Sequence, residues 1–265
     1  LLFHSGGPVT KKSTKSIIIG PPKFRFLAKQ PSREKLPTNK KQIDPLNGKI
    51  ILGPEPPDLI WEVEKWEVEK WSFYKSVKGS SLSKSLQKLE EFLPDNIIAP
   101  GTICGAFAYD LCQWTQPLQL INPPNENSLI GILFSIERWI IHDRENKFLE
   151  IGGDIDDIWV KEVIDLIGSI KDLNTIEPSW PKNPPNFVSG ESSNFTDLEH
   201  SNIIKKVQNS IKSGELYQLN FGRKWKGPLS EEPWTLQLRL ATKNPAPWSC
   251  YIFSNDLGFC LCSSS

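Results

Sequence analysis

Side chains that could grip a metal or act as nucleophiles are few and dispersed in this chain. Cys260 and Cys262 form a C-x-C pair, and thiolates so placed can hold a soft cation, but no second pair stands at zinc-site spacing. His4, His142 and His200 lie far apart, so an imidazole-based metal or nucleophile site would have to be assembled by folding. Asp110 follows the small-residue run Gly105-Ala106-Phe107-Ala108-Tyr109. A carboxylate there could do acid–base work, but the expectation is a short side chain that anchors its own loop. Residue types alone therefore name no reaction.

The surrounding composition narrows the setting. Lys+Arg 31 balance Asp+Glu 31, so the chain's net field nominates neither nucleic acid nor an anionic membrane as a partner. Five cysteines, odd in number, scattered and mostly flanked by apolar residues, argue for buried free thiols in a reducing compartment, and the expected location is cytoplasmic. Asn194-Phe195-Thr196 fits a glycosylation sequon, but with no signal peptide before it the match reads as chance. The most apolar run, Leu129 to Ile141, carries Glu137 and Arg138 and is too short to span a bilayer.

Elements that could position these residues follow from periodicity. Leu1 to Gly7 reads as a strand entering a turn, Ile17-Ile18-Ile19 as a short buried strand, and Phe24, Phe26 and Ala28 as the alternating face of another. Pro31 to Leu46 is polar, Lys-rich and broken by proline, and is expected to be loop. Trp61 to Trp71 holds the tandem WEVEK-WEVEK-Trp, whose odd period flips the facing between copies, so a bulge or a break must absorb the extra residue. Its interleaved glutamates would repel phosphate, which argues against a base-stacking surface.

Leu82, Leu86, Leu89 and Leu93 share a helical face that stops at Pro94. The small residues around Gly105 suit strands that approach another backbone closely. Leu129 to His142 and Phe148 to Ile151 flank a hairpin signal at Asp143-Arg144-Glu145-Asn146. Asp156 or Asp157 should cap a helix that turns Val160, Val163, Ile164 and Ile167 inward.

Three regions emerge: 1–173, a Pro-rich polar linker over 174–195, and 196–265. The last opens on the capping box Thr196-Asp197-Leu198-Glu199 and a helix with Ile203, Ile204, Val207 and Ile211 on one face. Gly214 ends that helix, Tyr217 to Trp225 alternate like a strand, and Asn244-Pro245-Ala246-Pro247 makes a rigid turn. The chain then stops inside a strand pattern at Cys260 to Ser265 and contains no Met, so it is expected to be a piece of a longer protein.

Read in order, these segments resemble the chorismate-utilising enzymes, above all the large subunits of aminodeoxychorismate synthase and anthranilate synthase. The resemblance rests on Leu2-Phe3-His4-Ser5-Gly6, Ser16 to Gly20, Gly105 to Leu111, Ser193-Asn194-x-Thr196, Gly214-Glu215-x-Tyr217-Gln218-Leu219-Asn220, Asn244 to Trp248 and Ser263 to Ser265. It implies an α+β fold, with antiparallel or mixed sheets in a sandwich-like arrangement, helices outside, and the N-terminal part packed against the catalytic part.

The resemblance also implies roles. Isochorismate synthases carry a lysine where Gln218 stands, as the base that activates water; a neutral amide cannot take that proton, so Gln218 fits an enzyme that uses ammonia. Asn220 with Tyr217 matches the Tyr-Gln-x-Asn form of aminodeoxychorismate synthase. Gln218 and Asn220 are thus expected to line the active site, and the reaction is expected to be amination of chorismate to 4-amino-4-deoxychorismate for folate synthesis. Ammonia would come from a glutamine amidotransferase subunit.

Ser5, Pro245, Pro247 and Trp248 match positions where relatives hold tryptophan, with proline faces for the ring and a hydroxyl for the polar end. The nucleophilic lysine and the carboxylates that hold Mg²⁺ are expected after Ser265, with no metal site inside the chain, so these 265 residues are expected to be inactive alone. Two rivals remain: anthranilate synthase component I, and a non-catalytic module that holds tryptophan or docks the amidotransferase.

Overall fold

The computed structural model describes residues 1–6, 13–32, 40–43, 50–53, 57–93, 103–116, 120, 124–170, 192–229 and 231–264. It divides into two compact units: Leu1–Thr175 with Ala246–Ser265, and Ile176–Pro245.

In the first unit the strands are β1 Leu2–His4, β2 Lys15–Ile19, β3 Phe24–Lys29, β4 Lys40–Ile43, β5 Ile50–Gly53, β6 Leu59–Glu67 and β7 Lys70–Gly79. Helix α1, Leu82–Gln87, and a 3₁₀ turn at Lys88–Phe92 follow. Next come β8 Ile103–Phe107, a second 3₁₀ turn at Tyr109–Trp114, β9 Leu129–Ser135, β10 Trp139–Asp143, β11 Phe148–Gly152 and helix α2, Ile158–Ser169. In the second unit lie β12 Ser192–Ser193, helix α3 Asp197–Lys212, β13 Trp225–Lys226 and helix α4 Pro233–Lys243. The chain returns to the first unit with β14 Ser249–Ser254 and β15 Phe259–Ser264.

Among the described residues, the first unit is built on two large antiparallel sheets, in the orders β11-β10-β2-β1-β14-β15 and β7-β6-β3-β9-β8, beside the two-stranded β4-β5 pair. Strand β3 is buried on both faces, which places it at the centre of a sandwich. Its Leu27, with Ile132 and Phe134, meets Ile252 of the other sheet, while Phe26 and Ala28 face away toward a second core. That second core is closed by Leu82, Leu86, Leu89 and Phe92 and by Leu111 and Trp114, so the helical segments cover the outer face of the five-stranded sheet. An α+β sandwich with helices outside is therefore the fold, as expected.

Trp61 is fully buried in the outer core and its indole N–H donates to Ser85 Oγ at 3.0 Å, so the polar edge of a large apolar ring is satisfied. Gly131 makes room for that ring, since a Cβ there would lie 2.8 Å from it. Gly105 has the role anticipated for the small-residue run: a Cβ would sit 2.0 Å from the carbonyl oxygen of Ile132 on β9.

The WEVEK tandem folds back on itself as β6 and β7. Val68 and Glu69 both take positive φ, 48° and 61°, as a tight hairpin turn of matching twist requires. The register slips between Val63 and Glu64, where β7 carries one residue more. Trp61 and Val63 face the outer core, whereas Trp66, five residues on, packs edge to face on Trp71 at 5.3 Å.

Several expectations need correction. Part of the Pro31 to Leu46 stretch is strand: Lys40–Ile43 pairs with Ile50–Gly53, and that ladder overrides the polar composition. Tyr217 to Trp225 is not a strand up to its last residue; only Trp225–Lys226 finds a ladder, with Ser192–Ser193, and alternation without a partner does not make a strand. Leu129 to His142 breaks into two strands at 136–138, which lets β9 and β10 enter different sheets. Ile164 on α2 is 41% exposed; Val160 and Val163 are the buried pair. None of the cysteines is fully buried, and Cys260 is exposed, because β15 lies at a sheet edge with one face open. Residues 174–191 of the expected linker lie outside the described residues, as do Pro94, Gly101 and Thr102.

Candidate functional site

In the second unit, the segment carrying Gln218 and Asn220 is fixed at both ends by local chemistry. Thr196 and Glu199 cap α3 reciprocally, and Gly214, at φ 78°, closes its other end. Asn194 exchanges two hydrogen bonds with Lys224, its amide donating to the carbonyl and its side-chain oxygen accepting from Lys224 N–H at 2.9 Å. Arg223 donates to Ser193 Oγ at 2.7 Å, pairs with Asp197 and stacks on Trp225 at 4.2 Å. Phe221 packs against Phe195 and His200 at 5.5 and 5.4 Å. Gln218 and Asn220 are both exposed, as is the neighbouring Tyr217 at 96%, so their amides can meet a ligand without desolvating protein contacts first.

In the first unit, Ser5 ends β1 in a buried polar knot. Its Oγ lies 2.7 Å from the carbonyl of Ser13, to which it donates, and 3.1 Å from that of Pro247, while its N–H donates to Ser16 Oγ. The carbonyl of Ser5 accepts from Arg144, and Gly6 N–H donates to Ala246 O at 3.0 Å. The end of β1 and the turn before β14 are thus joined. Two side chains expected beside Ser5 are not enclosed: Trp248 is 60% exposed, and Pro245 is exposed and falls in the other unit.

A cleft of about 370 Å³ adjoins this knot, lined by His4, Ser5, Ser16, His142 and Arg144 among others. Burial first, then the neighbouring Arg144 guanidinium and the His142 ring, hold the His4 pKa below the ordinary histidine value. Opposite His4 in the ladder, Ser249 is buried with an Oγ that has no hydrogen-bond partner among the described residues. Sequence alone gave His4 only as one of three dispersed histidines and a motif member, Arg144 only as part of a turn, and Ser249 no role; only a polar residue within an apolar strand could have pointed to Ser249.

It also overlooked Arg25, a guanidinium 98% buried in β3. It pairs with Glu64 on the adjacent strand and with Asp256 in the β14–β15 turn, donates to Ser254 Oγ at 3.0 Å and stacks on Trp71 at 4.6 Å. A charge inside the run Phe24-Arg25-Phe26 was the available signal.

Among the described residues, no three His, Cys, Asp or Glu side chains converge as a metal cage. Nor is any described helix long and apolar enough to cross a membrane.

The chain is similar to several known proteins. The family of chorismate binding enzymes matches residues 57–265. Anthranilate synthase component 1 of Aquifex aeolicus (strain VF5) is 24% identical over 189 residues, 66% of this chain and 38% of that protein. Aminodeoxychorismate synthase component 1 of Streptomyces lividans is 25% identical over 181 residues, 64% of this chain and 35% of that protein. The matched part thus spans little more than a third of either relative's length. The crystal structure of anthranilate synthase component I from Streptococcus pneumoniae TIGR4 aligns with a TM-score of 0.49 and 11% identity, over 92% of this chain and 48% of that one. With most of its length inside the family match, including the segment that carries Gln218 and Asn220, the chain belongs to the chorismate binding enzymes.

Proposed function

We propose that this chain is part of an enzyme that aminates chorismate to 4-amino-4-deoxychorismate, with ammonia from a glutamine amidotransferase subunit. Gln218 carries the reading. A neutral amide can orient a nucleophile by hydrogen bonding but cannot deprotonate water at neutral pH, and ammonia needs no such base. Asn220 follows on the same exposed segment, which leaves both amides available to substrate. Completion of the reaction calls for a lysine nucleophile and Mg²⁺ ligands that the resemblance places beyond the serine run, so the 265 residues alone are proposed to be inactive.

Product identity tests this in an enzyme that contains the chain. Supplied with chorismate, an ammonium salt and Mg²⁺, it should release an amino-deoxychorismate that retains its enolpyruvyl group; anthranilate with one equivalent of pyruvate would refute the reading. That second outcome defines the alternative, anthranilate synthase component I, which is favoured by the names of the Aquifex relative and of a Buchnera aphidicola subsp. Pemphigus spyrothecae protein 26% identical over 167 residues.

Tryptophan is proposed as a ligand at Ser5, Pro247 and Trp248, with Pro245 beside them in sequence. Calorimetry with L-tryptophan should give saturable binding that Trp248→Ala, at an exposed position, abolishes while the melting temperature holds; no heat with the parent chain would sink the idea.

A further inference from the structure

At the end of the sandwich formed by the WEVEK hairpin, the β2–β3 turn and the β14–β15 turn lies a cleft of about 750 Å³. That volume is in the range of small-molecule sites. Three indoles line it: Trp66 and Trp71 from the hairpin and Trp159 from α2, with Phe253 from β14. Gly20 lets the last wall close in, because a Cβ there would meet Trp159 at 3.1 Å and the Arg138 stem at 2.5 Å. Glu69 and Asp256 stand among the polar lining groups.

We propose that this cleft binds a small organic cation of the quaternary ammonium class, held by the indole faces and attracted by Glu69. Two independent observations carry it. First, one of the lining indoles already packs on a cation: the Arg25 guanidinium lies 4.6 Å from the Trp71 ring centroid. Second, charge favours a cation over an anion. The charged groups that line it are the carboxylates Glu69 and Asp256 against one ammonium, Lys70, and Asp256 shares Arg25 with Glu64, two carboxylates to one guanidinium. Indole is the strongest of the aromatic partners for such a charge, and a methylated ammonium sheds its weak hydration at little cost.

None of the residues lining the cleft is one proposed for chorismate or tryptophan, so the test stands whatever their fate. Choline is titrated into the whole chain by calorimetry, against 3,3-dimethylbutan-1-ol, its uncharged isostere, with indole N–H resonances followed by NMR. Choline should saturate and should shift the signals of Trp66 and Trp159, and the isostere should bind about fivefold more weakly or worse. Trp66→Leu at the half-exposed hairpin tip should weaken choline by about fivefold, and Glu69→Gln by about twofold with a shallower salt dependence. Glu69→Gln changes no volume, so it reads the charge even if Trp66→Leu disturbs the hairpin. Equal affinity for choline and the isostere, unchanged affinity in both variants, or no saturation in the millimolar range overturns the assignment.

Discussion

Asp143 and Asp256 both stay ionised below the usual carboxylate range, for different reasons. Asp143 accepts from the backbone N–H of Asn146, then from the Asn146 side chain and Glu145 N–H, in the turn between β10 and β11. For Asp256 the first cause is the Arg25 hydrogen bond, with Ser254 Oγ adding to it. A carboxylate whose folded pKa is depressed contributes stability above its unfolded pKa and loses it as pH falls through the folded value. Urea unfolding should therefore show constant support from both groups at neutral pH and a decline as pH drops below the ordinary aspartate range. Asp143→Asn and Asp256→Asn should each flatten that acid limb, and an unchanged limb in both would contradict the assignment. Residues of this kind were partly legible. The Asp143-to-Asn146 turn and the close approach at Gly105 are local, so sequence exposed them; Arg25 and Ser249 owe their meaning to partners more than 200 residues away.

Elements were legible where they close on themselves. The capping box of α3 and the hairpin of β10 and β11 need only neighbours within a few residues, and both formed where expected. The β4–β5 pair and the irregular segment after Gly214 went the other way, because a strand exists only with a partner, and alternation does not name one. The β14–β15 hairpin depends on a clamp that crosses between sheets. Replacing Arg25 by Met keeps most of its volume but leaves Glu64 and Asp256 without their cation and Trp71 without its stacking group. Since both carboxylates retain some access to water, the expected loss is about 2–3 kcal/mol, below that for breaking a fully buried pair. Chemical denaturation measures it, and a change under about 0.5 kcal/mol would mean that the clamp does not hold the hairpin.

At the scale of the molecule, sheet order was beyond sequence patterning: β1 lies between β2 and β14, so strands from opposite ends of the chain share one ladder. Resemblance supplied the expectation that early and late segments pack together, and the register Leu2↔Tyr251 gives its form. Removing residues 246–265 would bare one edge of β1 and strip Ile252 and Leu261 from the core that holds Leu27, Ile132 and Phe134. Such a deletion should abolish a single cooperative thermal transition and raise binding of a hydrophobic dye; an intact transition would contradict the interdependence.

The same ladder sets a clock for biosynthesis. Synthesis at about 5–20 residues per second leaves β1 without its second neighbour for roughly 12–50 s after it is made. Throughout that interval one edge of a short apolar strand can pair with another nascent chain, so growth temperature and chaperone supply should govern the yield of soluble protein more strongly than its final stability does.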